Sequence, residues 1–384
     1  RQRMKAIKIF TLGLCCCLAG GCESLRFYKQ AALGQLSLLQ QAEDVDALVT
    51  DPSTPEGLRQ RLETVQGILQ FAEQQLDLPV GDRYQRYVGL EQDYVVWNVF
   101  VAPPLVMNSV QWCYPVVGCA PYRGYFDEAD AVALAANYAD QGFDTYVAGV
   151  SAYSTLGWFK DPLLSSFVFY SEPALTNLLF HELAHSKVWV NNDVAFNESF
   201  ASFVGLQGTR QWLSLGRDQS SEPLLRWRRG QVQWQQFKTF ALAAKADLTS
   251  LYEDQTGSDA ERMQQRQRLL AHWQSCYRQQ RQRLGNGRFD RLMGERFNNA
   301  FLMSLGTYED WVGAFTQLFA DVGEDWPTFF ANVKSLTTLE DDQRQQRMQT
   351  LRSRYLAQQQ ETQTTDNQDT NKVQCQAFAH HILD

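Results

Sequence analysis

Histidine is scarce in this sequence, five residues in 384, so two of them at a short fixed spacing carry weight. No glycine-rich phosphate loop follows a strand, and no Gly-x-Ser-x-Gly elbow is present. Those absences set aside nucleotide-cradling enzymes and the serine hydrolases built on that turn. No internal repeat is evident, which excludes a solenoid or propeller. The apolar run from Ile9 to Leu18 is too short for a comfortable membrane-spanning helix, which needs about 20 residues. Basic residues form no strong cluster before Arg226, and the Arg/Gln-rich stretches beyond it also carry acids. With a formal net charge of -8 they read as solvated helix faces, and no nucleic-acid partner is expected. What is present is apolar and aromatic matter, 44% and 12% of residues, enough for one large domain or two modest ones with a proper core.

The first 21 residues have the layout of an export signal. Arg1, Arg3, Lys5 and Lys8 are followed by the apolar run, then by Ala19, Gly20 and Gly21 before Cys22. Small residues directly before a cysteine resemble the lipobox of bacterial lipoproteins, with Leu18 one place earlier than usual. That resemblance implies a lipid on Cys22 as the first mature residue and an anchor to a membrane on the periplasmic side. Glu23 leans to the outer membrane. The alternative is an ordinary cleaved signal with an incidental cysteine. Cys15, Cys16 and Cys17 would leave with the signal, and Cys113, Cys119, Cys276 and Cys375 remain, an even number suited to an oxidising compartment. Cys113 and Cys119 are near enough to close a small loop around Pro115 and Gly118, and no histidine lies nearby to make a zinc site with them. A disulfide is expected there. Cys276 with Cys375 is the pair that remains.

The expected fold class is α+β, mainly α, with a small sheet before a central helix and a helical C-terminal part. After the signal, the chain divides into an N-terminal helical segment (22–90), a core (91–215), a helical part (216–360) and a polar tail (361–384). Leu33, Leu36, Leu39 and then Leu58, Leu62, Val65, Leu69 have helical spacing. Ser53, Pro55 and Glu56 form a capping-box pattern before the second of these helices. Tyr94–Val101, Thr145–Tyr153 and Ser166–Tyr170 are expected strands, with an Ala-rich helix over Asp127–Gln141 between the first two. Helices are expected over Leu175–Val188 and from about Asp193 to Leu213. Further helices should run between Gln231 and Leu284, over Phe289–Phe319 and over Trp326–Leu336. Asn286–Gly287 is an expected break.

The chemistry gathers at Phe180-His181-Glu182-Leu183-Ala184-His185, an H-E-x-x-H pattern. Residues four apart share a helix face, so both imidazoles reach one ion, and zinc takes histidine nitrogens at roughly 2.0–2.1 Å. Glu182 would then take a proton from a water attacking a carbonyl. Apart from Glu182 the stretch Ala174–Ala184 is almost uncharged apart from its histidine, as a buried active-site helix should be, and burial of these groups calls for a partner such as Zn2+. A catalytic zinc needs a third protein ligand. Glu198, in Asn197-Glu198-Ser199-Phe200-Ala201, is the best placed, because residues 186–193 are just long enough to turn the chain. Asp193 is the runner-up and His272 a third choice.

A third ligand on a following helix resembles the gluzincin arrangement of thermolysin-like peptidases. Two features depart from it: the spacing of 13 from His185 to Glu198 is shorter, and Ser202 stands where that motif carries an aspartate. The chain also resembles a bacterial family described as "putative zinc aminopeptidase" and as lipoproteins. The carrying segments are the lipobox-like start, Tyr28–Leu39, Cys113–Phe126, Tyr153–Pro162, LLFHELAH and NESFA. The resemblance implies a gluzincin-like fold and zinc metallopeptidase activity on a peptide substrate. Tyr153 and Tyr308 are candidates to stabilise the oxyanion, with a core or interface role as the alternative for each. Glu172 could hold a substrate's free amine, although acids are common at helix starts. His380 and His381 read as part of an end segment. Rival readings are an endopeptidase or cell-wall peptide hydrolase, and a lipoprotein scaffold that keeps a zinc without catalysis.

Overall fold

The computed structural model describes residues 30, 33, 34, 36–114, 118–152, 161–216, 218, 220–254, 256–305 and 311–365. In chain order, a strand β1 (Glu43–Asp44) leads into helix α1 (Val45–Thr50) and then α2 (Glu56–Gln75). Leu62, Val65, Ile68, Leu69 and Ala72 of α2 are buried, the stripe that its spacing predicts. Its start differs from expectation. Pro55 occupies the cap position with no side-chain cap bond, and the Ser53 amide is held instead by Asp51 Oδ1 at 2.8 Å.

Strand β2 (Arg86–Val88) follows, then β3 (Val96–Ala102), the hairpin β4 (Trp112–Tyr114) and β5 (Gly118–Ala120), and β6 (Tyr122–Tyr125). Cys113 and Cys119 face each other across the hairpin and are joined by a disulfide. Helix α3 (Glu128–Asp140) is capped by Asp127, which accepts from the Asp130 amide at 3.1 Å. Strand β7 (Asp144–Val150) completes an antiparallel sheet in the order β6-β3-β7. Strand β8 (Leu163–Leu164) completes a second sheet in the order β1-β2-β8, parallel to β2. Val99 and Val101 bury one face of the first sheet under Ala131 and Ala135 of α3, while Phe100 and Ala102 bury the other face against Ala300.

The stretch expected as a strand over Ser166–Tyr170 is instead a short helix, α4 (Ser165–Val168). A brief apolar run has no decisive period. Here the serines settle it: Ser165 Oγ accepts from the Leu90 amide and Ser166 Oγ donates to the Ser151 carbonyl, so both are tied to the chain just beyond β2 and β7. Next come α5 (Glu172–His185) and α6 (Val194–Ser214), then two long helices, α7 (Glu222–Glu253) and α8 (Asp259–Gln279). The last is opened by a full capping box of Ser258 and Glu261.

Residues 280–296 form hydrogen-bonded turns rather than the helices expected up to Leu284 and from Phe289, and left-handed Gly285, Asn286 and Gly287 make the expected break. Phe289, Met293 and Phe297 are buried even so. Among the described residues of that region, α9 (Asn299–Ser304) and α10 (Val312–Asp321) are helical, before α11 (Trp326–Leu336) and α12 (Asp341–Thr365). The final helix carries residues 361–365 of the expected polar tail.

Two main cores result. The larger joins α2, β2, β8, α5, α6, α10, α11 and α12. In it Phe196, Phe200 and Phe203 of α6 meet Phe315, Phe319, Trp326, Phe329 and Phe330 ring to ring. The second joins α7, α8, the 280–296 turns and α9.

Candidate metal centre

Helix α5 begins with Pro173 in its first turn and buries Leu175, Leu179, Phe180, Leu183 and Ala184. That burial fixes its rotation and puts His181 and His185 on the side facing α6. The connector between the helices, residues 186–193, closes through two devices. Asn192 adopts a left-handed backbone (φ 62°). Asn197, 1% exposed, grips Val190 from both ends: its Oδ1 accepts from the Val190 amide at 2.8 Å and its Nδ2 donates to the Val190 carbonyl at 2.7 Å. Helix α6 therefore runs back along α5, with Glu198 opposite both histidines and Gly205 opposite Asn177.

The donor atoms converge. His181 Nε2 lies 3.2 Å from His185 Nε2 and 3.3 Å from Glu198 Oε2, and His185 Nε2 lies 3.7 Å from the same oxygen. Ligands at 2.0–2.1 Å around a tetrahedral zinc stand about 3.3 Å from one another, so these separations fit one such ion. The His/His/Glu donor set fits it chemically too. Among the described residues this is the group of histidines, cysteines and acids that could hold a metal.

The electrostatics divide the three groups. Burial is the main reason that the His185 imidazole is lowered to about 4; His181 adds to it and Glu198 opposes it. Burial also pulls His181 down, but its hydrogen bond with Glu198 and the charges of Glu182 and Glu198 leave it raised. Burial pushes the Glu198 carboxyl up, yet the His181 hydrogen bond and both imidazoles hold it below its ordinary value. The outward nitrogen of His185, Nδ1, is buried without a hydrogen-bond partner. The Trp189 ring stands edge-on to His185 at 5.6 Å and is 40% exposed.

Glu182 is half-buried beside His181. Tyr84 adjoins it electrostatically: burial, then the charges of Glu182 and Asp161, push its phenol well up. Its backbone is left-handed (φ 61°), rare for so bulky a residue, and its amide donates to the Asp161 carbonyl at 2.9 Å.

Of the other candidates, Asp193 is spent elsewhere. Its Oδ1 caps α6 by accepting from the Phe196 amide at 3.1 Å, and its Oδ2 takes Arg344 Nε at 3.0 Å. Glu172 accepts from Trp212 Nε1 at 2.8 Å, at the opposite end of α5 from the histidines. His272 belongs to α8 beside Trp273. Tyr153, Tyr308, Cys22, Cys375, His380 and His381 lie outside the described residues. Cys276 is disulfide-bonded. Sequence reasoning missed Asn197 as the connector's clasp, Tyr84, and Arg344. The Asn-Glu pair was a signal for the first. Arg344, 151 positions from Asp193, offered none.

No curated protein and no solved structure matches the chain. The model of one family, described as "Putative aminopeptidase", matches residues 26–348, and the chain belongs to that family.

Proposed function

We propose that the protein is a zinc-dependent, gluzincin-like peptidase that removes N-terminal residues from peptides. The observation that carries this is the convergence of His181, His185 and Glu198 at zinc-ligand separations, with Glu182 next to the first ligand. Family membership supports the aminopeptidase reading. Zinc held by His181, His185 and Glu198 would supply Lewis acidity to the scissile carbonyl and to an attacking water. Glu182 accepts the proton of that water and delivers it to the nitrogen of the leaving amine. The carboxylate also argues against a non-catalytic scaffold, since a purely structural site has no use for it. The oxyanion falls to Tyr153 or Tyr308 in this reading. Export with a lipid on Cys22, anchoring the chain on the periplasmic side of the outer membrane, rests on the N-terminal layout. The Cys113–Cys119 disulfide supports an oxidising compartment.

The test is Glu182→Gln assayed beside wild type for zinc content and for hydrolysis of matched peptides with free and N-acetylated amino termini. Zinc near one per chain in both, with hydrolysis of the free peptides lost in the variant, is the expected result. Unchanged hydrolysis in Glu182→Gln would remove the general base from the mechanism. Equal cleavage of acetylated peptides would make the enzyme an endopeptidase.

A further inference from the structure

We infer that Arg344 is a positioning residue of the metal centre, acting on Glu198 from the C-terminal helix through Asp193 and Phe196. The inference rests on the metal-site reading above.

Arg344 is 3% exposed, and a buried guanidinium must have its hydrogens and charge answered. All three of its nitrogens are engaged. Nε donates to Asp193 Oδ2 at 3.0 Å, Nη1 to the Leu339 carbonyl at 3.0 Å, and Nη2 to Asp341 Oδ1 at 2.5 Å. The guanidinium carbon also lies 5.8 Å from the centre of the Phe196 ring. Asp193 thus divides its carboxylate: one oxygen caps α6 at the Phe196 amide and the other is fixed by Arg344. Phe196 is itself held against Phe315, with ring centres 5.2 Å apart.

The two handles are the N-cap of α6, Asp193, and Phe196 in its first turn, and Glu198 follows two residues further on. His181 and His185 need no such device, because the core face of α5 fixes them together. Glu198 is the ligand that comes from a second element, so its distance from the histidines depends on how the start of α6 is seated. Ligand placement tolerates errors of only about 0.5 Å. Helix α12 is in turn anchored to α10, where Arg354 Nη1 and Nη2 pair with Asp321 at 2.8 and 2.9 Å.

The test is zinc affinity of the full chain by chelator competition, together with the cobalt(II) absorption spectrum. Arg344→Met is compared with wild type, in the native background and in Glu198→Ala. Arg266→Met, which breaks the buried Arg266–Asp144 pair away from α6, controls for general destabilisation. The expected result is zinc affinity weakened about 10- to 100-fold by Arg344→Met, within about 3-fold in the Glu198→Ala background. Arg266→Met should stay within about 3-fold of wild type, while the cobalt spectrum of Arg344→Met moves toward that of Glu198→Ala. Equal losses in both backgrounds, or an equal loss in Arg266→Met, would reduce Arg344 to a contributor to stability. If Arg344→Met does not fold, Asp193→Asn keeps a capping oxygen and removes the ion pair; an unchanged zinc affinity there overturns the inference. Failure of wild type to bind zinc would sink the metal reading itself, whereas unchanged affinity in Arg344→Met sinks only the role of Arg344.

Discussion

His181 Nε2 stands 3.3 Å from Glu198 Oε2, across the gap between two helices that also approach closely about two turns further along α6, where Gly205 meets Asn177. A side chain at Gly205 would put its Cβ 2.8 Å from Asn177 Oδ1 and 2.9 Å from the Asn177 carbonyl oxygen. The carbonyl is helix backbone and cannot swing aside. Gly205→Ala should therefore spread α5 from α6, cost about 1–3 kcal/mol of stability and weaken zinc binding. Gly67 is the contrast: its Cβ would meet only Trp212 at 3.6 Å, so Gly67→Ala should raise the melting temperature, by about 0.5–1 kcal/mol of stability. Chemical denaturation and zinc titration of the two variants check this. Zinc affinity intact in Gly205→Ala would show that the close approach does not set the ligand distance.

The same pair governs what zinc must displace. His185, lowered to about 4, is neutral at pH 5.5, and Glu198, held below its ordinary value, is ionised. His181 is raised above 6.5 and keeps its proton there. Two unperturbed histidines would release nearly two protons on binding a metal at pH 5.5, whereas this site should release about one. Affinity should fall with acid along the titration of His181 alone down to about pH 5, and more steeply below it as His185 takes up a proton. Calorimetry of zinc binding in buffers of different ionisation enthalpy measures the count. Two protons at pH 5.5 would mean that burial does not keep His185 neutral.

The helices of the site were legible because their signals are local. Pro173 opens α5, which ends at His185, a little before the expected Val188; Asn191 and Asn192 lie in the connector, Asp193 caps α6, and the four-residue spacing of His181 and His185 needs only helix geometry. Glu198 was reachable because a short connector leaves few ways to turn. The failures have equally physical causes. Ser166–Tyr170 lacked a period long enough to tell strand from helix, and the choice was made by hydrogen bonds to Leu90 and Ser151. Asp193 looked like a ligand because an acid near a metal motif and an acid at a helix start are the same residue in sequence. Its partner Arg344 is far along the chain, and such pairings are set by tertiary packing.

Asn197 should be as sensitive as a ligand although its side chain holds Val190 and not the ion. Its side chain bonds both the amide and the carbonyl of Val190, the carbonyl also accepting from the Asp193 amide at 3.4 Å. Asn197→Ala would leave the Val190 amide without its partner, at about 1–3 kcal/mol where water cannot replace it, and the Val190 carbonyl with the longer bond from the Asp193 amide at 3.4 Å. The connector would then lose its fixed turn. The expected outcome is a lower melting temperature together with weaker zinc binding. Asn197→Asp should be at least as costly, because a buried carboxylate still accepts from the Val190 amide but sets its other oxygen against the Val190 carbonyl with no hydrogen between them. Equal zinc affinity in all three proteins would show that the clasp serves the fold without serving the site.

Removing the metal should leave the fold standing. A small zinc domain unfolds on chelation because the ion replaces a core. Here α5 and α6 are seated by Leu179, Phe180 and Leu183 on one side and by Phe196, Phe200 and Phe203 on the other, all buried in the larger core. Burying one such side chain contributes about 1.5–3 kcal/mol, so the two helices have ample apolar support of their own. Chelation should abolish hydrolysis and lower the melting temperature by the linkage term alone, with helical circular dichroism kept. Adding back zinc should restore both. Loss of the helical signal on chelation would show that the charge on Glu198 and the burial of His185 are tolerated only with the ion in place, so that folding and metal uptake are one step.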